Sequence, residues 1–365
     1  MPFLTRLSLP ALRHDIQKLA ITFSIAALTG WIFLALNFPA PFLMGSVFGV
    51  WFIGGSVKPL HPYLGVARWF HIPVVLGLGV FIGSFFQGDL IGHVIAYTPT
   101  VLAMIAVTIV VTIIGFLFLT RVRKYEPEMA ILCAIPGGQA EAIVMARELV
   151  EKDYVVALFH LMRVCFIFIT TPLLLAAIQG QNAVEHSNEL LKTMPGLFNL
   201  SLFQFSSFIA LAVGGLLLAR LIRLPMPHLL GPALFSSVCH AANVVDIPRI
   251  FEFVMLAQLA IGGGVGARLA QVNSKELMVY LKDAAINTMM ILLLYFSAAV
   301  TSAYFLGATL LEVWLAFVPG GLYEVTLLAM IFGFDIGFIA FHHTIRVILI
   351  FLAMPSMVMR FQRKF

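Results

Sequence analysis

The sequence predicts an all-α polytopic membrane protein made of two inverted repeats, each with five transmembrane helices and one broken, re-entrant hairpin. Three observations support this prediction: the apolar composition, one residue pattern that occurs twice, and the placement of lysine and arginine. Of the 365 residues, 61% are hydrophobic and 11% are charged, and the mean hydropathy is +1.02. Soluble domains carry roughly 25% charged residues, so the composition excludes an ordinary soluble fold.

Hydropathy places five spans in each half of the chain, with apolar runs close to the roughly 20 residues that a bilayer-crossing helix needs. Two further apolar segments, 127–150 and 310–333, are interrupted by Pro-Gly-Gly. A polar stretch separates the halves, so we expect a first membrane repeat at 1–180, a polar external linker at 181–200 and a second membrane repeat at 201–365. The ten spans lie near 19–37, 42–57, 70–87, 94–120, 154–178, 203–222, 226–245, 250–267, 284–306 and 337–359.

The two Pro-Gly-Gly sequences begin a residue pattern that is repeated 183 positions later. In each copy a glutamate follows the glycines, an arginine lies 22 positions after the glutamate, and a histidine precedes the arginine by three positions. Charged residues inside membrane segments are rare and costly, so their recurrence at one offset indicates a tandem duplication. The recurring residues are Pro136, Gly137, Gly138, Glu141, His160 and Arg163 in the first half, and Pro319, Gly320, Gly321, Glu324, His343 and Arg346 in the second.

A second set of small residues and prolines also recurs in the two halves. The paired glycines have the spacing of small-xxx-small positions, at which membrane helices approach each other closely. The prolines have the position expected at the start of the second helix of each half. The glycine pairs are Gly79 with Gly83 and Gly262 with Gly266, and the proline sequences are PAPFLMG at 39–45 and PMPHLLG at 225–231.

The positions of the loop cations predict how the two repeats are oriented. If each broken segment crosses the bilayer, a half has six crossings and the repeats are parallel; if each enters and returns on one side, a half has five crossings and the repeats are inverted. Cytoplasmic loops carry an excess of lysine and arginine. With five crossings and a cytoplasmic N-terminus, only Lys192 and Arg249 of the loop cations face outward, whereas six crossings place more cations outside. The inverted arrangement, with both termini cytoplasmic, is therefore predicted.

Each Pro-Gly-Gly is expected to form the turn of a hairpin near the middle of the membrane. Proline lacks an N–H donor and ends a helix, and glycine accepts the backbone angles that a reversal needs. The next helix would begin near Gly138 or Gly321, with its free N–H groups and positive dipole end at mid-depth, where they bind anions. A single kinked helix is the alternative.

The charged residues of the repeated pattern allow a functional and a structural interpretation. In the functional one, the arginines hold a substrate anion and the glutamates carry the coupling proton or cation. In the structural one, Glu141 pairs with Arg163 and Glu324 with Arg346. The histidines share a helix face with the arginines, where they could relay protons or simply pack. Two histidines and two glutamates could also hold a metal, although no dense ligand motif such as HExxH occurs, and no cofactor is predicted.

The doubled P-G-G-x-x-E and H-x-x-R pattern, with P-x-P-x-L-x-G upstream in each half, resembles the AbrB family of bacterial polytopic membrane proteins. The resemblance covers nearly the whole chain and implies a duplicated, multi-pass protein of the bacterial inner (cytoplasmic) membrane. Members are labelled ammonia monooxygenase or transition-state regulator. The resemblance implies that the family's functional positions are carried here by the Pro-Gly-Gly, Glu and Arg of each copy.

These observations predict a secondary transporter of a small solute, with a negatively charged solute favoured. Transport would be coupled to protons or another cation, and the site would lie between the paired hairpins. A membrane regulator or scaffold is the first alternative, and a metal-dependent, monooxygenase-like membrane enzyme is the second. No enzymatic activity is predicted. The expected partners are the lipid bilayer, a small-molecule substrate and a coupling ion, with no nucleic acid; a homo-oligomer is left open.

Overall fold

The computed structural model describes residues 9–85, 90–137, 142–143, 145–146, 149–224, 226–271 and 275–362, and all regular structure in these ranges is helical. Gly138 and Glu141 lie outside the described residues. The helices of the first half and the linker are α1 Leu9–Ala35, α2 Pro41–Ser56, α3 Arg68–Gly83, α4 Leu90–Leu117, α5 Pro127–Ala134, α6 Asp153–Gln179 and α7 Gln181–Thr193. Those of the second half are α8 Leu202–Leu221, α9 Pro227–Ala241, α10 Phe251–Ala270, α11 Lys275–Leu306, α12 Leu310–Phe317, α13 Leu322–Phe332 and α14 Ile336–Gln362.

Seven of the described helices, α1, α4, α6, α8, α10, α11 and α14, are long and apolar enough to cross a bilayer. The helices α2, α3 and α9 were also predicted as spans, but they have only 15 or 16 residues, which is shorter than the roughly 20 residues that a full crossing needs. All three lie against other helices, with much of their surface buried. The chain is thus an all-helical protein of the polytopic membrane class.

The helices pack in two groups, and each group mixes the two halves of the sequence. In the scaffold group (α1, α2, α3, α8, α9 and α10), α2 packs on α1 and α10, and α9 packs on α8 and α3. In the hairpin group (α4, α5, α6, α11, α12, α13 and α14), α11 packs on α4, α6 and α12, and α14 packs on α12 and α13. The linker, predicted as a polar connection, forms the helix α7 and lies against α6 and α13.

The paired glycines pack as the sequence predicts, and they join opposite halves. A Cβ on any of the four would lie only 2.6–2.8 Å from a backbone carbonyl oxygen of the facing helix. Since such a distance is well inside ordinary contact, only glycine permits this approach. The facing pairs are Gly79 with Leu229 and Gly83 with Ala233 between α3 and α9, and Gly262 with Leu43 and Gly266 with Val47 between α10 and α2.

Equivalent positions of the two halves share unusual backbone conformations. Positive φ occurs at pairs of residues offset by 183 or 186 positions, and Pro41 and Pro227 begin α2 and α9 as the sequence predicts. Left-handed conformations are uncommon outside glycine, so their recurrence reflects a shared local geometry. The pairs are Asn37 with Arg223, Ala40 with Met226, and Lys124 with Gly307.

The residues on either side of each broken segment lie close together. The ring of Tyr280 on α11 lies 6.0 Å from the ring of Tyr125, before α5, and 6.4 Å from that of Tyr154, at the start of α6. In the second half, the backbone N–H of Asp335, after α13, donates to the carboxylate of Glu312 at the start of α12 (3.2 Å). Each broken segment therefore begins and ends in the same region of the molecule.

Candidate functional site

The repeated pattern creates two short helices of the same length that end at the prolines. Helices α5 and α12 each have eight residues, and their first and last residues correspond at the offset of 183. Each helix ends just before its proline, which has no N–H to continue the helical hydrogen bonds. Gly137 then takes a φ of 110°, and the N–H of Gly320 donates to the carbonyl of Val318 at 2.9 Å, as in a γ-turn.

Arg163 caps the end of α5 with its guanidinium group. Its two terminal nitrogens donate to the carbonyls of Ile135 (2.7 Å) and Cys133 (2.8 Å). One turn earlier on α6, His160 donates from Nε2 to the carbonyl of Leu132 at 3.1 Å, because a carbonyl can only accept. The last carbonyls of a helix have no partner within it, so this His and Arg satisfy groups that the break leaves open.

Arg346 and His343 repeat this arrangement at the end of α12. His343 donates from Nε2 to the carbonyl of Leu315 at 2.8 Å, the position equivalent to Leu132. Arg346 donates to the carbonyls of Phe317 (2.8 Å) and Gly320 (3.4 Å) and to Nδ1 of His343 (2.8 Å). A cation at a helix C-terminus is favoured by the helix dipole. The H-x-x-R sequence therefore caps a broken helix in each half.

The two turns are brought against the arginine-bearing helices of the opposite halves. A Cβ on Gly137 would lie 3.2 Å from Ile350 of α14 and 3.5 Å from Nε of Arg346. A Cβ on Gly320 would lie 3.3 Å from Ile167 of α6. Since Ile167 and Ile350 are equivalent at the offset of 183, the contacts are reciprocal. Residues of the two sequence copies thus form one site.

The site buries two positive charges whose described neighbours are mainly neutral. Arg163 and Arg346 are each 1% exposed, and within the described part of the chain the Nε of each has no hydrogen-bond partner of good geometry. Buried Tyr295 of α11 interacts with both guanidinium groups, most closely with that of Arg346, and its hydroxyl donates to Thr108 at 2.9 Å. Arg123 and Asp283 form an ion pair that is distant in sequence from both arginines. The hydrogen bonds found for Arg346 among the described residues go to carbonyls and a histidine; the alternative Glu141–Arg163 pair lies outside the described residues.

Glu324 lies at the N-terminus of the helix that follows the second turn. Gly321 immediately precedes α13, and the carboxylate of Glu324 folds back over it, so that a Cβ on Gly321 would collide with that carboxylate. Glu324 is 1% exposed. Its carboxylate thus occupies the region where free N–H groups and the positive dipole end of a helix attract an anion.

A cavity of about 420 Å³ leads to Arg346 between α4, α5 and α14. Its walls are almost wholly apolar, and Pro136 of the first turn belongs to them. The adjacent His342, in contrast, is a satisfied interior histidine that hydrogen-bonds to Phe338 (2.7 Å) and Thr100 (2.8 Å). No group of three or more His, Cys, Asp or Glu with the arrangement of a metal site occurs among the described residues.

Comparison with known proteins places this site in a family. The family model described as "Transition state regulatory protein AbrB" matches residues 52–362, which include both copies of the pattern. The chain belongs to the AbrB family. The chain is 25% identical over 325 residues to "Putative regulator AbrB" of Escherichia coli (strain K12), covering 89% of this chain and 90% of that protein. It is 21% identical over 297 residues to "Uncharacterized protein YhjN" of Bacillus subtilis (strain 168), covering 79% of this chain and 77% of that protein.

For this AbrB-family chain, sequence reasoning missed two contributors to the site. Tyr295 and Thr108 lie outside the repeated pattern, yet they form the hydrogen bond beside the two arginines. Tyrosine in membrane helices is enriched at the two interfaces rather than at mid-span. Tyr295 lies near the middle of the long helix α11. This unusual position for a tyrosine is the sequence feature that could have indicated its role in the site.

Proposed function

We propose that this AbrB-family protein is a secondary transporter for a small organic anion, with coupling to protons or another cation. The observation that carries the proposal is the buried pair of arginines, each of which caps one broken helix, with no hydrogen-bond partner for its Nε–H among the residues that the structure describes. A buried charge costs about 3 kcal/mol or more within a bilayer. Proteins retain such groups mainly where they serve substrates or ions, and a bound anion would compensate both charges.

The proposal includes inverted repeats with re-entrant hairpins. It is supported by the contacts of Tyr280 with both flanks of the first broken segment. It is also supported by the ion pair between Arg123 and Asp283 at 2.6 Å. The five-crossing scheme, which counts the short helices α2, α3 and α9 as crossings, puts these two residues on the same side, whereas the six-crossing scheme puts them on opposite sides. Broken helices that meet at the interface of inverted repeats are typical of secondary transporters.

In the proposed mechanism, Glu324 provides the coupling. Its carboxylate covers the N-terminus of α13, and protonation would remove its charge and leave that helix end to the substrate anion. One proton would then accompany one anion. Alternating access would arise by rocking of the hairpin group against the scaffold group, in the bacterial inner membrane with both termini cytoplasmic.

The experiment is radiolabelled uptake in proteoliposomes with a panel of carboxylates and sulfonates, under an imposed proton gradient. We expect uptake by the wild type and a loss of at least about tenfold in Arg163→Gln and Arg346→Gln, since each removes a buried charge from the site. Thermal unfolding of each variant in detergent checks that it is folded. Unchanged uptake in both folded variants would contradict the proposal.

A membrane regulator is the second candidate, because the family model and the relative from Escherichia coli are both described as regulators. A regulator without transport would give a cellular phenotype but no flux of any tested anion in proteoliposomes. We propose no enzymatic activity and no cofactor for this chain.

A further inference from the structure

The cavity beside Arg346 differs from an aqueous pathway in its lining. The described part of its wall consists of isoleucine, leucine, methionine, alanine, proline and phenylalanine side chains, with Thr108, Thr112 and Arg346 as its polar members. Thr112 already donates to the carbonyl of Thr108 (2.7 Å). The cavity therefore offers a hydrocarbon-like space with one charged group at its inner end.

The outer wall of this cavity belongs to the lipid-facing surface. Ile109 and Ile113 of α4 and Leu349 of α14 line the cavity and are exposed, Ile109 at 56%. Both α4 and α14 are among the helices long and apolar enough to cross a bilayer. A molecule dissolved in the bilayer can therefore enter sideways between α4 and α14 without passing through water.

The inner end of the cavity holds the charged group of the site. Arg346 is 1% exposed, its two terminal nitrogens bond to carbonyls and a histidine, its guanidinium group also interacts with the hydroxyl of Tyr295, and its Nε has no hydrogen-bond partner of good geometry among the described residues. Gly137 faces this Nε, and because glycine has no side chain, a ligand can reach the Nε from the cavity. A single charged N–H donor at the end of an apolar space matches a monovalent head group on a hydrocarbon body.

The corresponding space in the other half of the chain is filled by large side chains. Thr112 and Ile131 line the cavity, whereas the residues 183 positions later are Tyr295 and Trp314, which are 0% and 1% exposed. Trp314 is held by a hydrogen bond from its indole N–H to Thr171 at 3.1 Å. On the side of Arg346 these two positions therefore carry smaller side chains than their counterparts, which leaves the space open.

We propose that the anion is amphipathic: a monocarboxylate or monosulfonate with a short hydrocarbon tail, which reaches Arg346 from the bilayer through the α4–α5–α14 cavity. This inference rests on the proposed transport function and specifies its substrate class. A volume of about 420 Å³ leaves room for a head group together with a short hydrocarbon tail. The head group pairs with Arg346 and the tail lies along α4.

The test is equilibrium binding of radiolabelled octanoate to the full-length protein in lipid nanodiscs, with empty nanodiscs as background. We expect saturable binding that unlabelled octanesulfonate displaces and that equimolar acetate or octan-1-ol does not. Arg346→Gln and Ile109→Trp should each weaken binding by at least about tenfold, through loss of the charge and filling of the entrance. Thr112→Tyr, which introduces the residue found at the equivalent position 295, should also weaken binding by at least about tenfold.

Leu293→Trp is the matched control, because Leu293 of α11 is 58% exposed and does not line the cavity; its binding should stay within about twofold of the wild type. Octanoate binding no greater than background, or equal binding in Ile109→Trp, would overturn the inference. If octan-1-ol competes as well as octanesulfonate, the cavity binds hydrocarbon without regard to charge, and the inference is overturned as well.

Flux of octanesulfonate into proteoliposomes separates this inference from the proposed function. Octanesulfonate has no neutral form near pH 7, so passive flow through protein-free liposomes is slow. Arg346-dependent binding without flux would refute transport and leave the site in place. If short polar anions are transported and Ile109→Trp does not change their flux, the proposed transport function stands and the amphipathic substrate is refuted.

Discussion

Replacement of Gly266 by alanine tests whether close contact between opposite halves holds the scaffold group together. A Cβ at this position of α10 would lie 2.6 Å from the carbonyl oxygen of Val47 and 3.0 Å from Cβ of Val50 on α2. Ordinary contacts of a Cβ begin near 3.4 Å, so α10 and α2 would have to separate by about 0.8 Å, which close-packed interiors resist. The obstructing atom is backbone and cannot rotate away.

The expected magnitude comes from two opposing terms. Alanine is favoured over glycine inside a helix by about 0.8–1.0 kcal/mol, and overpacking a close contact costs about 1–3 kcal/mol. We therefore expect Gly266→Ala to lower the free energy of unfolding by up to about 2 kcal/mol. Gly262→Ala should act similarly, because its Cβ would lie 2.8 Å from the carbonyl oxygen of Leu43.

Gly264 provides the control on the same helix. Its Cβ would meet only Val66, at 3.8 Å, so Gly264→Ala changes helix propensity by the same amount without the close contact. The difference between Gly266→Ala and Gly264→Ala therefore isolates the packing term, about 1–3 kcal/mol. The assay is equilibrium unfolding in mixed micelles, followed by tryptophan fluorescence. Equal stability of the two variants would refute the reasoning.

Three further predictions concern the hairpin group. Arg163→Gln should destabilise the protein, since hydrogen bonds from a charged donor contribute about 1.5–3 kcal/mol each and two are lost at the end of α5; unfolding in micelles measures this, and wild-type stability would contradict the capping role. Glu324→Gln should uncouple uptake in proteoliposomes from an imposed proton gradient, because the amide cannot bind and release the coupling proton; gradient-driven uptake at the wild-type rate in this variant would exclude Glu324 as the coupling group. Trp314→Phe should destabilise the protein, because it removes both the hydrogen bond to Thr171 and part of a buried ring; a double-mutant cycle with Thr171→Val should assign about 1 kcal/mol to the hydrogen bond, and a coupling energy near zero would contradict it.

Much of the helical framework could be predicted from the sequence, because local chemistry determines it. Pro136 and Pro319 lack the N–H that would continue a helix, so α5 and α12 end before them. Pro41 and Pro227 begin helices for the related reason that the first N–H of a helix needs no partner. The paired glycines also predicted close helix contacts, although the sequence did not say which helices would meet.

The partners of the charged residues could not be predicted in this way. The spacing of His160 and Arg163 places them on one helix face, but a guanidinium group bonds equally well to a carboxylate or to the carbonyls of a helix end. Only the three-dimensional arrangement brings the end of α5 to Arg163. The cavity depends on the smaller volumes of Thr112 and Ile131 relative to their counterparts, which matters only after the helices are assembled.

The cross-packing of α3 on α9 and of α2 on α10 has a consequence for biogenesis. The glycines at 79 and 83 of α3 meet their partners only after α9 has been synthesised, about 150 residues later in the chain. During translation the first half must therefore reside in the bilayer with its small-residue faces against lipid. Two fragments divided within 181–200 should each insert separately, yet each should become stable only when the other is present.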